Sequence, residues 1–388
     1  MNQISPPLGL FLIVLFLLGV NYETQTQNKS TEVEKAVHSY CRKSTQEKWH
    51  GSSHAWRYKA LMPCYHPITA YHSRTLNESG KRSLVFSPKE AYHPDSPIEI
   101  SCGKCIGCRL EKSRQWAIRC MHEASEHEDN CFVTLTFSPE GLVKRQMDYQ
   151  EYNERNPDNP IEINPHTVHV RDFQLFMKRL RNKFGSNIRF YHCGEYGEHS
   201  ARPHYHACLF NFDFPDKKLW RINNNNDRLY ISETLNELWP YGYAVLGDVT
   251  FQSAAYVARY CTKKITGDKA KEHYEVVDED GVIYDRNPEY ATMSRRPGIG
   301  ATWFKKYGND VYPKDFVTVN GKRVKPPKYY DNQLQKYKPF MYDEVKENRE
   351  RRIDKNDPEY LEDRLRTKEE IQRRRMNRLV RNHDKEGV

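Results

Sequence analysis

The spacing of apolar and polar residues predicts strands and helices that alternate along the central part of the chain. Residues Phe132 to Phe137 alternate strictly and end at Ser138-Pro139, which is typical of a strand. Asp172 to Phe184 carries apolar residues at helical spacing and stops at Gly185, which predicts a helix packed on a sheet. Between these two elements, the stretch around Asp148 to Pro165 is predicted to be a long polar loop.

Later segments show the same two periodicities. A helix is expected from Ser253, as its N-cap, to about Ile265. The other predicted elements are strands at Ile188 to Cys193, His204 to Phe212 and Gly242 to Thr250, and a short helix at Ile231 to Trp239. The pattern therefore predicts a mixed domain of helices and strands.

The composition fits a folded enzyme with a polyanionic partner. The 388 residues, 37% of them hydrophobic, allow a substantial core, while a mean hydropathy of −0.91 indicates exposed stretches. A net charge of +9 and 26 tyrosines suit single-stranded DNA, because its bases stack on aromatic rings and its phosphates attract cations. The 10 cysteines lack the pattern of a small secreted domain, so we expect a reducing, intracellular setting.

Two histidines separated by one residue form the candidate metal site. Because residues two apart in a strand point to the same face, His204 and His206 could bind one divalent ion together. Glu195, on the preceding antiparallel strand, is the predicted third ligand, and Glu198 is its rival. Two nitrogens and one carboxylate leave positions for phosphate oxygens, so Mg²⁺ or Mn²⁺ is the expected cofactor.

Two tyrosines on the last predicted helix are the candidate nucleophiles. Tyr256 and Tyr260 are four residues apart and share a helix face, and Lys263 and Lys264 follow on the next turn. A phenol has a pKa near ~10, so a bound cation and a lysine ammonium would help by favouring the phenolate. Beside a metal that polarises a phosphodiester, such a phenol can cut DNA by forming a phosphotyrosine.

A cluster of closely spaced cysteines forms a second candidate metal site. Its fourth ligand could be Cys64 upstream or Cys120 downstream. Tetrahedral thiolate zinc is the first expectation, and an iron–sulfur cluster or a loop of free thiols are the alternatives. A basic amphipathic helix from Arg109 to Glu123 is predicted to follow. The cluster itself consists of Cys102, Cys105 and Cys108.

An unbroken apolar run, Leu8 to Val20, lies near the start of the chain. It is shorter than the ~20 residues that span a bilayer, and no Lys or Arg precedes it as in a signal peptide. A membrane anchor, a cleaved signal peptide and an extension upstream of the natural start stay open as interpretations. We favour the last, with Met62 as the start.

In this order, the strand at 132–137, the His-Tyr-His strand and the tyrosine helix with a lysine resemble the HUH-type replication initiators of rolling-circle elements. Within that superfamily the chain is similar to the initiators of gokushoviruses, single-stranded DNA phages of the microvirus family. This closer similarity rests on Met62-Pro-Cys-Tyr-His-Pro67, Cys102-Gly-Lys-Cys-Ile-Gly-Cys108-Arg109, Gly194-Glu-Tyr-Gly197, Arg202-Pro-His-Tyr-His206, Pro297-Gly-Ile-Gly300, Asp310-Val-Tyr-Pro313 and Pro326-Pro-Lys-Tyr-Tyr330.

The resemblance implies an α+β HUH endonuclease fold, with flanking helices and a central antiparallel sheet that carries the paired histidines on a middle strand. It implies that His204 and His206 bind the metal and that Tyr256 and Tyr260 are the nucleophiles. Lys263 matches the family's lysine, whereas the equivalent position after Tyr256 is an arginine. The residues expected to contact DNA are Arg202 and Arg259.

The implied activity is that of a metal-dependent, site-specific DNA endonuclease that also rejoins strands. It would nick single-stranded DNA at the viral origin through a 5′-phosphotyrosine and release a unit-length circle. Host helicase and DNA polymerase are the expected partners, in the cytoplasm of the bacterial host. No small-molecule cofactor and no membrane association are expected, and no phosphate loop that would indicate a built-in helicase is visible in the sequence.

The domain organisation follows from the same motifs. We expect an atypical extension at 1–61, a cysteine-rich and basic-helix segment at 62–130, a nuclease core at 131–268, a basic accessory region at 269–338 and a charged tail at 339–388. The tail would be a solvated helix or disordered. The alternative functions are a non-catalytic zinc-dependent nucleic-acid-binding protein, a membrane-anchored protein, and a relaxase or transposase of the same chemistry.

Overall fold

In this computed structural model, the residues described are 64–78, 80–161, 164, 166–197, 201–223, 226–260, 269–277, 281, 283–354 and 357–384. Within these ranges, no helix combines the length and the apolar character needed to cross a membrane. The apolar run Leu8 to Val20 and the proposed start at Met62 lie outside them. The chain forms two compact units, residues 61–351 and a second one composed of 1–60 and 352–388.

The first unit contains most of the secondary structure. Its strands are β1 (Ile68–Leu76), β2 (Arg82–Val85), β3 (Ile98–Ile100), β4 (Asn130–Phe137), β5 (Arg189–Tyr196), β6 (Pro203–Phe210), β7 (Lys218–Ile222), β8 (Arg228–Ile231), β9 (Gly242–Gly247), β10 (Glu275–Val277), β11 (Ile283–Asp285), β12 (Tyr290–Met293), β13 (Val317–Val319) and β14 (Lys322–Val324). Its helices are α1 (Ile106–Ala124), α2 (Pro139–Arg155), α3 (Val170–Phe184), α4 (Glu233–Leu238), α5 (Phe251–Tyr260), α6 (Lys269–Tyr274), α7 (Ala301–Val311), α8 (Lys328–Tyr337) and α9 (Pro339–Arg351), with a 3₁₀ turn at Pro88–Glu90.

A seven-stranded antiparallel sheet is the centre of this unit, in the order β12-β5-β6-β4-β9-β8-β7. The predicted α+β class, with a large antiparallel sheet and flanking helices, is confirmed. Strand β6, which carries the paired histidines, lies between β5 and β4 and is therefore an interior strand. The strands predicted from 132, 188, 204 and 242 correspond to β4, β5, β6 and β9.

Helices cover both faces of the sheet, because the side chains of β6 alternate between two cores. Tyr205, Ala207 and Leu209 belong to a core with the apolar residues of α3, as the helical spacing of that segment predicts. Cys208 and Phe210 belong to a second core with α1 and α5. The face that carries the histidines is therefore the one on which the tyrosine helix packs.

Helix α2 contradicts the predicted polar loop, since residues 148–155 of that loop are helical. The Ser138 hydroxyl accepts a hydrogen bond from the Gly141 amide at 2.9 Å, and Pro139 occupies the first turn, where its missing N–H costs nothing. The buried residues Leu142 and Tyr149 lie seven positions apart and so share one helix face. Only this narrow stripe faces the core, which explains why the polar composition was misleading.

The start of α5 also differs from the prediction, because the helix begins at Phe251 and Ser253 lies in its first turn. The Thr250 hydroxyl accepts from the Ser253 amide at 3.1 Å, and the Ser253 hydroxyl accepts from the Thr250 amide at 2.8 Å. This reciprocal pair is a capping box, so Thr250 is the N-cap. The predicted end near Ile265 lies outside the described residues.

The remaining elements form smaller clusters. Strand β1 pairs with β2 and β3 in a three-stranded sheet next to the cysteine-rich loop. Helices α7, α8 and α9 share a third core around Tyr330, and Arg349 of α9 donates to Asp315 and Asp331. In the second unit, the described part consists of a 3₁₀ turn at Pro358–Tyr360 and a charged helix, α10 (Glu362–Asp384).

A buried ion pair joins α2 to α3 behind the central sheet. Arg145 and Asp172 have fully buried side chains, with 2.9 Å between Arg145 Nη2 and Asp172 Oδ2. The Asp172 carboxylate also accepts from the hydroxyl of Tyr149 at 2.9 Å and from that of Tyr205 at 2.5 Å. Tyr205 lies between the two histidines of β6, so this network is bonded directly to the strand that carries the candidate site.

We expect Asp172→Asn to lower the free energy of unfolding by about 3–5 kcal/mol, because it leaves the buried Arg145 guanidinium without its counter-charge. Urea denaturation followed by tryptophan fluorescence measures the change. Asp158→Asn, at an exposed position on the loop after α2, is the matched control and should leave the midpoint unchanged. A loss below about 1 kcal/mol for Asp172→Asn would contradict the structural role of the pair.

Candidate active site

The predicted metal ligands converge at one end of β5 and β6. Glu195 pairs directly with His204 in the β5–β6 ladder, and the Glu195 side chain reaches diagonally to His206, with 2.7 Å between Oε1 and Nε2. One ligand atom from each of these three residues lies within 4.8 Å of the other two. Glu195 and His206 are buried, and His204 is half-buried. The rival ligand Glu198 lies outside the described residues.

A threonine that the sequence did not single out orients His206. Thr134 of β4 is directly opposite His206 in the ladder, and its hydroxyl oxygen lies 3.0 Å from His206 Nδ1. An imidazole that donates from Nδ1 keeps a lone pair at Nε2, which is the nitrogen next to Glu195. The alternating Thr134 and Thr136 of the predicted strand were the available signal, but their partner was invisible without the register.

Helix α5 brings one predicted nucleophile to this triad. The Tyr256 hydroxyl lies 3.5 Å from Glu195 Oε1, and its ring centroid lies 5.0 Å from that of His206. A distance of 3.5 Å is at the outer limit of a hydrogen bond and can tighten when substrate binds. The helix is fixed by buried small residues and by Ser113 of α1, whose hydroxyl donates to the Ala255 carbonyl at 2.8 Å.

The other predicted residues of the tyrosine helix are only partly accounted for. Tyr260 is the last residue of α5, four residues and about 6 Å along the axis from Tyr256, but its side chain is outside the described part of the structure. Lys263 and Lys264 lie wholly outside it. Their roles therefore stay predictions.

The two arginines predicted to contact DNA flank the site on different elements. Arg202 precedes β6, and its guanidinium donates to the Phe137 carbonyl at the end of β4 at 3.2 Å. Arg259 is half-buried near the end of α5. The structure accounts for the Arg202 contact as a link between neighbouring strands, and DNA contact by either residue stays a prediction.

The donor set of the triad suits a hard divalent cation. Two imidazole nitrogens and one carboxylate oxygen converge from adjacent interior strands, which keeps their separation fixed. Such a set can hold Mg²⁺ or Mn²⁺ and leaves coordination positions for substrate oxygens. The triad is therefore compatible with a catalytic ion, and Tyr256 is the oxygen nucleophile beside it.

The cysteine cluster forms a second group of convergent ligands. The sulfurs of Cys64, Cys102, Cys105 and Cys108 lie within 4.8 Å of one another. The two sulfurs of Cys102 and Cys108 are 4.0 Å apart, close to the ~3.8 Å expected for thiolates around tetrahedral zinc. Cys64, not Cys120, completes the set, since Cys120 is fully buried in the core between α1 and the sheet.

Backbone amides stabilise negative charge in this cluster. The Cys102 amide donates to Cys64 Sγ at 3.2 Å, and the Cys105 amide donates to Cys102 Sγ at 3.3 Å. Burial raises the pKa of Cys102, but the amides of Cys105 and Lys104 outweigh it and lower the pKa to about 7. Burial raises the pKa of Cys108 and of Cys64. Their charged forms therefore need a cation as a partner.

Comparison with known proteins gives one family. The family model for the replication-associated protein ORF2 group matches residues 130–265. The chain is 31% identical over 287 residues to replication-associated protein VP4 of Bdellovibrio phage phiMH2K, covering 72% of this chain and 79% of that protein. It is 32% identical over 260 residues to replication-associated protein ORF2 of Spiroplasma virus 4, covering 65% of this chain and 73% of that protein. No solved structure matches the chain significantly.

We expect Thr134→Val to weaken Mn²⁺ binding about 10–100-fold, because the His206 imidazole loses the hydroxyl that fixes its orientation. Isothermal titration calorimetry of the full chain measures the affinity. Thr318→Val, at an exposed position on β13, makes the same chemical change elsewhere and should bind as tightly as the wild type. Equal affinity of Thr134→Val and the wild type would rule out this orienting role.

Proposed function

Because the chain belongs to the family of phage replication-associated proteins, we propose that it nicks single-stranded DNA at a phage origin to initiate rolling-circle replication and later rejoins the ends. The observation that carries this proposal is the position of the Tyr256 hydroxyl, 3.5 Å from the Glu195 carboxylate within the Glu195–His204–His206 triad. A nucleophile beside a convergent set of metal ligands is the arrangement that phosphodiester cleavage requires.

The triad would hold Mg²⁺ or Mn²⁺ through Glu195 Oε1 or Oε2 and one ring nitrogen each of His204 and His206. When bound, the ion supplies Lewis acidity that polarises the scissile phosphodiester. The interior position of β6 supports an HUH-type arrangement of the sheet, with the paired histidines on a middle strand. Burial of Glu195 and His206 keeps bulk water away from the reacting phosphate.

Tyr256 performs the first step. Its phenolic oxygen attacks the phosphorus, a P–O bond to tyrosine forms, and the bond from phosphorus to the 3′-oxygen breaks. Glu195 can accept the phenolic proton, and the departing 3′-oxygen takes a proton from water to become a 3′-OH. The 5′-phosphotyrosine conserves the energy of the phosphodiester, so the reaction needs no nucleotide cofactor.

The later steps use the rest of the helix. Host polymerase extends the 3′-OH while a host helicase unwinds the template in the bacterial cytoplasm. Tyr260, one turn along from Tyr256, would cut the regenerated origin, and the new 3′-OH would attack the first phosphotyrosine to close a circle. Lys263 and Lys264 would stabilise the phosphate charge, and Arg202 and Arg259 would contact the DNA backbone.

We also propose that the cysteine cluster is a structural zinc site formed by Cys64, Cys102, Cys105 and Cys108. Four thiolates in a closed set leave no position for substrate, which is typical of a structural rather than a catalytic ion. Cys105 is the N-cap of α1, and Cys108 lies in its first turn, so the ion would connect residue 64 to the start of this helix. Zinc would thereby position α1 against α5.

We expect Tyr256→Phe to abolish a metal-dependent covalent adduct, because phenylalanine lacks the attacking oxygen. The full chain is mixed with oligonucleotides from its own genome in Mn²⁺ or EDTA and analysed on a denaturing gel. A 5′-phosphotyrosine retains only the 3′ part of the substrate, so a 3′ label should shift and a 5′ label should not. Mass spectrometry identifies the modified residue.

Tyr337→Phe, at an exposed position, is the matched control for this assay and should form the adduct as the wild type does. Tyr256→Phe with an undiminished adduct, or an adduct mapped to another residue, would refute the assignment of the first nucleophile. DNA binding by folded protein without an adduct across the whole oligonucleotide pool would instead favour a non-catalytic zinc-dependent binding protein.

We expect the wild type to contain about one zinc ion per chain and Cys64→Ser to lose most of it, because three thiolates bind zinc far more weakly than four. Inductively coupled plasma mass spectrometry measures the metal. Cys131→Ala, which removes a buried thiol from β4, should keep its zinc. Iron in place of zinc, or equal zinc in the wild type and Cys64→Ser, would disprove this zinc site.

A further inference from the structure

A basic cleft opens at the end of β5 that is remote from the candidate active site. Its volume is about 630 Å³, and arginines from three segments line it: Arg181, Arg189, Arg295 and Arg296. Arg189 begins β5 and Glu195 lies six residues later, so the cleft is about 20 Å from the metal triad at the usual rise of a strand. The cleft is therefore a separate site.

The turn that carries Arg295 and Arg296 is held in place from both sides. A bridge between Arg295 and Gly298 closes the turn, and Arg189 Nη2 donates to the Pro297 carbonyl at 2.9 Å. A Cβ atom at Gly298 would lie 2.5 Å from the Tyr329 hydroxyl oxygen, so α8 packs directly against the turn. The close approach explains why a glycine occupies this position.

The residues after the turn are anchored on α1. Ile299 is fully buried, and its carbonyl accepts from Arg119 Nε at 3.0 Å. The Gly300 amide donates to Glu123 Oε2 at 2.7 Å. Arg119 in turn lies between the rings of Trp116 and Tyr329, at 4.0 and 3.9 Å from their centroids. The two arginines of the turn thus project from a rigid support.

The charges around the cleft have different roles. Arg189 pairs with Glu123, the acidic residue that also accepts from Gly300, so this arginine maintains the structure. Arg181 donates from Nη2 to the Ile188 carbonyl at 2.7 Å, and its buried Nε has no partner within the described residues. Arg295 and Arg296 are exposed, and none of the ion pairs found among the described residues includes them.

We propose that this cleft binds phosphates of single-stranded DNA several nucleotides away from the nicked bond, a ligand assignment that rests on the proposed function. Guanidinium groups on a fixed turn match phosphate geometry with little loss of side-chain freedom. Ser186, Asn187 and Ser294 also line the cleft and can donate to phosphate oxygens. At ~3.4 Å per nucleotide of one strand, a separation of about 20 Å corresponds to about six nucleotides.

Fluorescence anisotropy with labelled oligonucleotides, in EDTA so that no cleavage occurs, tests the proposal on the full chain. We expect Arg295→Ala/Arg296→Ala to weaken binding of a long origin-derived oligonucleotide. Two lost phosphate contacts should make the slope of log K against log salt shallower by about 1.4. Arg295→Lys/Arg296→Lys should recover most of the slope, because it retains the charge. An oligonucleotide too short to reach the cleft should bind both Ala and Lys variants like the wild type.

Arg351→Ala/Arg352→Ala removes the same charge from another exposed arginine pair and is the matched control. An unchanged slope for Arg295→Ala/Arg296→Ala, or an equal change in the control, overturns the proposal. A loss seen with RNA of the same sequence but not with DNA overturns it as well. Since binding is measured without metal, a failure to nick would refute the proposed function and leave this result unaffected.

Discussion

The register between β5 and β6 is the constraint on which the rest of the structure depends. Side chains in a strand alternate between two faces, so a slip of one residue would exchange Tyr205 with the histidines on either side of it. Tyr205 is fully buried, and its hydroxyl is bonded to the carboxylate of Asp172. The same pairing that satisfies this carboxylate therefore brings His204 and His206 to the face where Glu195 and α5 lie.

Much of this fold can be predicted because its signals are local. The alternation in β4 and β6 and the apolar spacing of α3 define elements with one buried face, and each needs only a few neighbouring residues to be recognised. Helix α2 could not be predicted in this way, because part of its inward face is Arg145, whose burial depends on Asp172, 27 residues later. A long-range partner of this kind leaves no trace in the local composition.

The candidate site divides along the same line. Glu195 was predictable as a ligand because a hairpin of adjacent strands places it opposite the histidines. Thr134 was not, since its contact with His206 depends on a strand 72 residues away, and the choice of Cys64 over Cys120 depends on a contact 38 residues long. The arginine-bearing turn at 295–298 was recognised as basic, but its rigid support consists of α1 and α8, which are distant in sequence.

The small side chains beneath α5 set the distance between the nucleophile and its target. Ala254 and Ala258 are fully buried between this helix and the sheet, so no side chain separates the two surfaces. Even one added methyl group there would lift Tyr256 away from Glu195 while leaving every reactive residue intact. The evolutionary tolerance of the protein is therefore narrowest at positions without chemistry of their own, and inactive variants can arise there unnoticed by any inspection of reactive groups.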